Sequence, residues 1–340
     1  MQQRNVRTKI TGKLKKLMWS LHRLLKKYNH MRSYRGGVAS YKTSANRKDV
    51  LECELRWLFE EGYRITRVEQ FRTKHIKVLV DHWIEERLAP GTIQNKLSIF
   101  RTFCHWIEKP NVCHEADAYI ASRPDHQARI KREYVAKTDT GWPVEHDFET
   151  ILLKILGDDP HVAIQIALMA VFGLRPREAA LLKPRQADLG ENLHVILGTK
   201  GGRPRIVPIE NETQRQVLDK AKTMTTTPNG SLIPEKYSYK SWRSRFYYIC
   251  RKHGMQKIEG THPYALRHDF IQTLYQILTG MPAPVKRASN AEDSEQTQPL
   301  SDNEGRLVVA ERAGHSRIQI TNCYLGSRRS VKQDTKPPSK

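Results

Sequence analysis

Residues 161–172 read HVAIQIALMAVF, apolar on every face except for His161 and Gln165. A helix without a polar side has to be surrounded by protein or by lipid. At 1.5 Å per residue this one rises only about 18 Å, well short of the ~30 Å hydrocarbon layer of a bilayer. The segment therefore predicts a buried central helix with other helices wrapped around it. It runs into Gly173-Leu174-Arg175-Pro176, a helix stop followed at once by a helix start.

The flanking sequence supplies that shell. Helical spacing predicts helices over 147–156, 176–183, 211–223 and 239–253, and two strands, His194–Leu197 and Arg205–Ile209, joined across Gly201-Gly202. Upstream, Leu51, Leu55, Leu58 and Phe59 form one stripe that ends at Gly62. Ile76, Leu79, Val80, Trp83 and Ile84 form a second, capped by Thr73. Ile93, Leu97, Phe100, Cys104 and Ile107 form a third, capped by Thr92. Trp57, Phe59, Trp83, Phe100 and Trp106 read as core aromatics. The expected organisation is a helical domain over 1–110, a linker over 111–142, and a second domain over 143–327. That second domain carries a polar insertion at 281–304, and a basic tail follows at 328–340. The fold class is mainly α, two helix-rich domains with one small antiparallel sheet.

Charge narrows the partner. The chain carries 58 Lys+Arg against 36 Asp+Glu, a net charge of +22, and its first 48 residues hold 14 Lys or Arg and no acid. Such an excess repels itself unless a polyanion neutralises it, which points first to nucleic acid. Ile10, Leu14, Leu17, Met18, Leu21, Leu24, Leu25 and Tyr28 make one face of an N-terminal helix, with Lys13, Lys16, Arg23 and Lys27 on the other. That helix suits a phosphate backbone better than packing alone, and better than a membrane surface. With Arg203 and Arg205 of the hairpin, those four are the candidate DNA contacts. No apolar run approaches membrane-spanning length, and the N-terminus has no signal-peptide core. The five scattered cysteines form no CxxC pair, which suits a reducing compartment and offers neither a disulfide framework nor a zinc knuckle. The expected location is the cytoplasm, in association with the nucleoid.

Five features of the second domain bear on chemistry. They are Arg175 with Glu178 at the helix junction, Lys200 at the Gly-rich hairpin tip, Tyr264 and Arg267 in THPYALRH, His315 after Gly314, and Tyr324. Taken singly, each is more readily structural. Taken in order on one basic chain, they are what phosphoryl transfer to a tyrosine requires. Two guanidiniums can clamp the non-bridging oxygens, a lysine can protonate the leaving 5′-oxygen, and a tyrosine can attack phosphorus. With protein cations in these roles, no metal or other cofactor is called for.

The segments FGLRPREAALL, GTKGGRPRIVPI, HPYALRHDF and AERAGHSRIQITNCYLGS, in this order, resemble those of the tyrosine recombinase (phage integrase) family. The resemblance spans most of 145–326, and the helical region 44–110 looks like the family's core-binding domain. It implies that Arg175 and Arg267 clamp the phosphate, that Lys200 is the hairpin lysine, and that Glu178 is the supporting acid. His315 would take the second histidine position and Tyr324 would be the nucleophile. The implied activity is site-specific integration or excision of a mobile element through a 3′-phosphotyrosyl intermediate. It would be carried out by a homo-tetramer on paired double-stranded attachment sites, with room for DNA-bending or directionality helpers. One departure stands out. The family usually has histidine three residues before the second arginine, and here that position is Tyr264, with His262 two further upstream. The expectation is that the two arginines lower the Tyr264 pKa, that Tyr264 orients a phosphate oxygen, and that water or His262 takes the Tyr324 proton. Two alternatives stay open: a DNA-binding regulator that has lost catalysis, and a relaxase acting on a single duplex.

Overall fold

A computed structural model describes residues 12–33, 36–286 and 299–327. Ile10, the core of the expected insertion and the basic tail lie outside the described residues. The chain divides into two compact units with the boundary between Glu133 and Tyr134.

The first unit contains α1 (Gly12–Tyr28), a short hairpin of β1 (Met31–Ser33) and β2 (Gly36–Val38), α2 (Tyr41–Glu60), α3 (Thr73–Glu85), α4 (Pro90–Trp106), α5 (Ala116–Ala121) and α6 (Gln127–Ile130). The apolar face of α1 sinks Leu17 and Leu21 into the same core as Leu51, Leu55, Trp83 and Phe100. Lys13, Lys16, Arg23 and Lys27 remain exposed. Inside this core Glu54 accepts a hydrogen bond from Trp83 Nε1 (2.8 Å) and pairs with Lys96, so its buried charge is compensated.

Three expectations for this unit need correction. The β1–β2 hairpin has no counterpart in the sequence reading. Buried Arg47 of α2 ties it down by donating to the Met31 and Arg32 carbonyls. Thr73 and Thr92 are not caps. The imidazole of His75 accepts the Arg72 N–H (2.9 Å) at the start of α3, and α4 begins one turn earlier than expected, with Pro90 at its first position. Residues 111–133 are not a linker, because Cys113, Tyr119 and Ile130 insert into the first core.

The second unit holds α7 (Phe148–Asp158), α8 (Pro160–Phe172), α9 (Pro176–Leu181), α10 (Pro184–Ala187), β3 (Asn192–Val195), β4 (Arg205–Pro208), α11 (Glu212–Thr223), α12 (Tyr239–Lys252), α13 (Pro263–Thr279), α14 (Asp302–Arg312) and the single turn α15 (Asn322–Leu325). The apolar helix α8 is central, packed by α7, α9, α11 and α13. Its one buried polar side chain in mid-helix, Gln165, is satisfied on both ends. It donates to Leu232 O (2.8 Å) and accepts from Trp242 Nε1 (3.1 Å). The hairpin register pairs Asn192 with Pro208 and Val195 with Arg205, so β3 starts and ends two residues before the expected strand. The cause lies at Gly198, whose φ of 77° turns the chain away and whose Cα is so close to the Arg177 carbonyl that a Cβ would sit 2.6 Å from its oxygen. Helix α14 begins at Asp302, inside the stretch expected to be insertion. Across that stretch the Leu300 N–H bonds Leu278 O at 2.9 Å. A third core joins Ile271, Leu274 and Tyr275 of α13, Val309 of α14, and Tyr324 and Leu325 of α15. No helix of the described residues is long and apolar enough to cross a membrane.

Candidate active site

The helix junction after α8 organises the site. Gly173 ends α8 in the left-handed region (φ 59°), and Arg175 precedes Pro176 as the extended N-cap of α9. Glu178, one turn into α9, reaches back to accept the Arg175 backbone N–H (2.7 Å) and its Nη1 (2.6 Å). Arg205, at the start of β4, forks onto the same carboxylate with Nη1 at 2.7 Å and Nη2 at 2.8 Å. Glu178 is fully buried. Burial alone would push its carboxyl upward, but the hydrogen bonds and charge of Arg205, with Arg175 behind them, hold it down at about 2.

Arg267, buried on α13, donates Nη1 to Gly173 O and Nη2 to Ala313 O (2.6 Å). Arg175 Nη2 shares that Ala313 carbonyl at 3.3 Å. Two guanidiniums thus meet at one oxygen, and the buried carboxylate of Glu178 pairs with Arg175 and with Arg205. His315 stands 3.4 Å from Arg267 Nη2 through Nε2. Burial first, then the charges of Arg267, Arg175, Arg205 and Lys200, lower its pKa to about 3, so its ring is neutral near pH 7. Neither Arg267 Nε nor His315 Nδ1 has a hydrogen-bond partner among the described residues.

Tyr324 lies over this cluster. Its ring is 5.9 Å from the Arg267 guanidinium, stacks on His315 at 5.2 Å, and meets the ring of His268 at 4.5 Å. Its main chain is held by Gln272, which donates Nε2 to Tyr324 O at 3.1 Å. Lys200 is exposed at the hairpin tip, where Gly201 and Gly202 take φ of 74° and 71°.

The expected residues thus separate into groups. Arg175, Glu178, Arg267, His315 and Tyr324 converge, although His315 and Tyr324 follow the polar stretch, and the exposed Lys200 acts on His315 through its charge. Arg203 is exposed, but Arg205 is buried in its pair with Glu178 and is not a surface DNA contact. In β4 its side chain shares the inward face of Val207, two residues on, and that alternation was a readable sign. His262 is the N-cap of α13, its Nδ1 accepting the Ala265 N–H at 3.0 Å, so that nitrogen is engaged in helix capping. The Tyr264 hydroxyl shifts upward, contrary to expectation. Burial and the neighbouring Tyr324 outweigh the pull of Arg267 and Arg175.

His268 was missed altogether. It follows Arg267 and lies one helical turn beyond Tyr264, and its Nδ1 is 2.8 Å from Thr140 Oγ1. Burial, with the charges of His262 and Arg267, lowers its pKa to about 4. The i, i+4 spacing from Tyr264 on α13 was the available signal.

Comparison with known proteins agrees with this architecture. A family model described as "Integrase" matches residues 131–273, and one described as "Phage integrase, N-terminal" matches residues 18–112. The first stops before His315 and Tyr324. No curated protein sequence matches the chain. Among solved structures, the lambda integrase (75-356) dimer bound to a COC' core site is 16% identical, with a TM-score of 0.53 over 94% of this chain and 98% of that one. The Tn1549 transposon integrase in complex with transposon right end DNA is 17% identical, with a TM-score of 0.55 over 93% and 98%. The XerH site-specific recombinase bound to a palindromic difH substrate is 14% identical, with a TM-score of 0.52 over 86% and 81%. At these identities the likeness is one of fold, and it extends over both units. With both units matched by integrase models and the recombinase fold running through them, the chain belongs to the tyrosine recombinase (phage integrase) family, an enzyme class of site-specific DNA recombinases.

Proposed function

We propose that this recombinase cuts and rejoins duplex DNA through a 3′-phosphotyrosyl ester on Tyr324, in the service of integrating or excising a mobile element. The observation that carries the reading is the pair of guanidiniums, Arg175 and Arg267, meeting at the Ala313 carbonyl beneath the Tyr324 ring. Like charges held that close favour an anion between them.

In the proposed reaction Tyr324 Oη attacks the scissile phosphorus, its proton passes to water, and the P–O5′ bond breaks. Arg175 and Arg267 take the charge that builds on the non-bridging oxygens. Lys200, on its glycine-flanked tip, delivers a proton to the departing 5′-oxygen. The 5′-hydroxyl of a partner strand then reverses these steps. Tyr324 and Arg267 are both buried. The phosphate therefore gains Arg267 only as the tyrosine ring swings aside, a side-chain rotation that leaves the main chain in place. Tyr264, with its pKa shifted upward, stays a neutral phenol, suited to hydrogen-bond a phosphate oxygen and unsuited to serve as a base.

The three structures of similar fold named above are DNA complexes, which supports a duplex partner carrying a defined site. Strand exchange needs two cuts at each of two sites, hence four copies of the chain. Tyr264 is the one feature favouring the other reading, a DNA-binding regulator without catalysis. A nicked suicide duplex of the attachment site separates them. The recombinase reading expects a denaturation-resistant protein–DNA adduct. Tight binding without any adduct would establish the regulator.

A further inference from the structure

Arg306, on α14, is buried yet serves none of the roles above. Its guanidinium reaches four acceptors. Nε donates to Asp302 Oδ1 (3.1 Å), Nη1 to Asn322 Oδ1 (2.9 Å) and Thr321 Oγ1 (3.4 Å), and Nη2 to Gly326 O (3.1 Å). Thr321 and Asn322 open the turn that carries Tyr324, and Gly326 closes it. Asp302 is held in turn by the Tyr275 hydroxyl of α13 at 2.5 Å, and the Arg306 guanidinium lies 5.7 Å from the Tyr275 ring. One side chain therefore spans both ends of the nucleophile's turn and anchors them to the helix that bears Arg267.

We propose that Arg306 is a positioning residue, a clasp that fixes the main chain at 321–326 so that only the Tyr324 ring has to move to reach phosphorus. The proposal rests on the reading of Tyr324 as nucleophile. Two physical points support it. Burying a guanidinium is costly, and an apolar side chain of similar size often serves stability as well, so a buried arginine whose bonds converge on one turn suits orientation better than bulk stability. Being one helical turn long, the turn has little stability of its own and depends on ties from outside it: Gln272 to Tyr324 O, the Ala136 N–H to Asn322 O (2.9 Å), and Arg306 at both ends. Close packing at Gly326, where a Cβ would lie 2.7 Å from Val285 Cγ1, leaves the main chain a single seat.

The test uses full-length Arg306→Lys, with Asn322→Ala as a milder variant that removes one of the four acceptors and leaves the arginine in place. Hydrogen exchange comes first, because it needs no catalysis. Amides of 321–327 should exchange at least about tenfold faster in Arg306→Lys, while those of α8 stay protected. Single-turnover cleavage of a suicide duplex should slow by about 100-fold in Arg306→Lys, as expected for an ångström-scale misplacement, with DNA affinity within about threefold. Hydrogen peroxide, which can attack the phosphorus in place of the tyrosine, should cleave the duplex at the same rate with Tyr324→Phe and with the Arg306→Lys/Tyr324→Phe double variant. Unchanged exchange at 321–327, or equal losses in the tyrosine and peroxide reactions, would overturn the clasp. Faster local exchange alongside a wild-type enzyme that forms no adduct at Tyr324 would uphold the clasp and remove the nucleophile reading instead.

Discussion

Glu178 is the residue on which the cationic cluster depends. It joins Arg175, which points toward the Ala313 carbonyl, to Arg205, which fixes the hairpin bearing Lys200. Glu178→Gln keeps the shape and removes the charge, leaving Arg175 and Arg205 without their buried counter-ion. Breaking such a pair from one side typically costs about 3–5 kcal/mol. Urea unfolding should therefore show a loss of that order, against an expected loss below about 1 kcal/mol for an exposed pair such as Lys222–Asp219. The histidines give a second residue-scale expectation. His315 and His268 have folded pKa values lowered to about 3 and about 4 from an unfolded value near 6.5. Between those limits the unfolded chain binds more protons, so stability should fall as pH drops below about 6.5, and should go on falling until the folded values are reached. Urea midpoints measured from pH 7.5 to 5 should shift downward, and less steeply in His315→Gln. A slope unchanged by that substitution would place the acid sensitivity elsewhere. The motif residues were legible because each sits in a recognisable local sequence. For Arg205 and His268 the sequence showed at most an inward strand position and a helical spacing, and for Arg306 nothing, because their partners, 27, 128 and 16 residues away, are brought together only by the fold.

At the scale of elements, the junction from α8 to α9 shows how local sequence builds a site. Gly173 has to be left-handed to end α8, its carbonyl accepts from Arg267, and Phe270 packs so closely that a Cβ there would lie 2.3 Å from Cδ1. Gly173→Ala should lose at least about 1–2 kcal/mol from the backbone conformation alone. The clash adds to that, and the Arg267 contact loosens with it. Thermal unfolding would show this as a lowered Tm, and a Tm equal to wild type would contradict the packing described here. The longer helices were readable from apolar spacing, while the short α5, α6, α10 and α15 were not. Helix ends were readable at the α8–α9 junction, where glycine and proline mark the stop and the start, and where a short polar residue performs the cap. Asp147 and Asn211 do so for α7 and α11. At α3 and α4 a histidine and a proline take over, and the threonine expectation fails. The β1–β2 hairpin, with three residues in each strand, is too short to leave a periodic trace.

For the whole molecule, the +22 charge favours a polyanionic partner, in keeping with the duplex proposed above. The exposed cations of α1 make that agreement testable. Replacing Lys13, Lys16, Arg23 and Lys27 with alanine should weaken binding to all duplexes alike. It should also reduce the slope of log K against log salt by about 0.9 for each phosphate contact removed. An unchanged slope would assign α1 to packing alone. The two-unit organisation was legible, but the boundary was not. The stretch 111–133 looks like a linker because its apolar residues are sparse, yet Cys113, Tyr119 and Ile130 are enough to seat it on the first core. The central claim is that Tyr324 forms the covalent bond to DNA. The adduct trapped on a suicide duplex should therefore be digested and its DNA-linked peptide identified by mass. The account predicts linkage at Tyr324, with no adduct from Tyr324→Phe despite DNA affinity within a few-fold of wild type. Linkage at another tyrosine, such as Tyr247 or Tyr264, would contradict it.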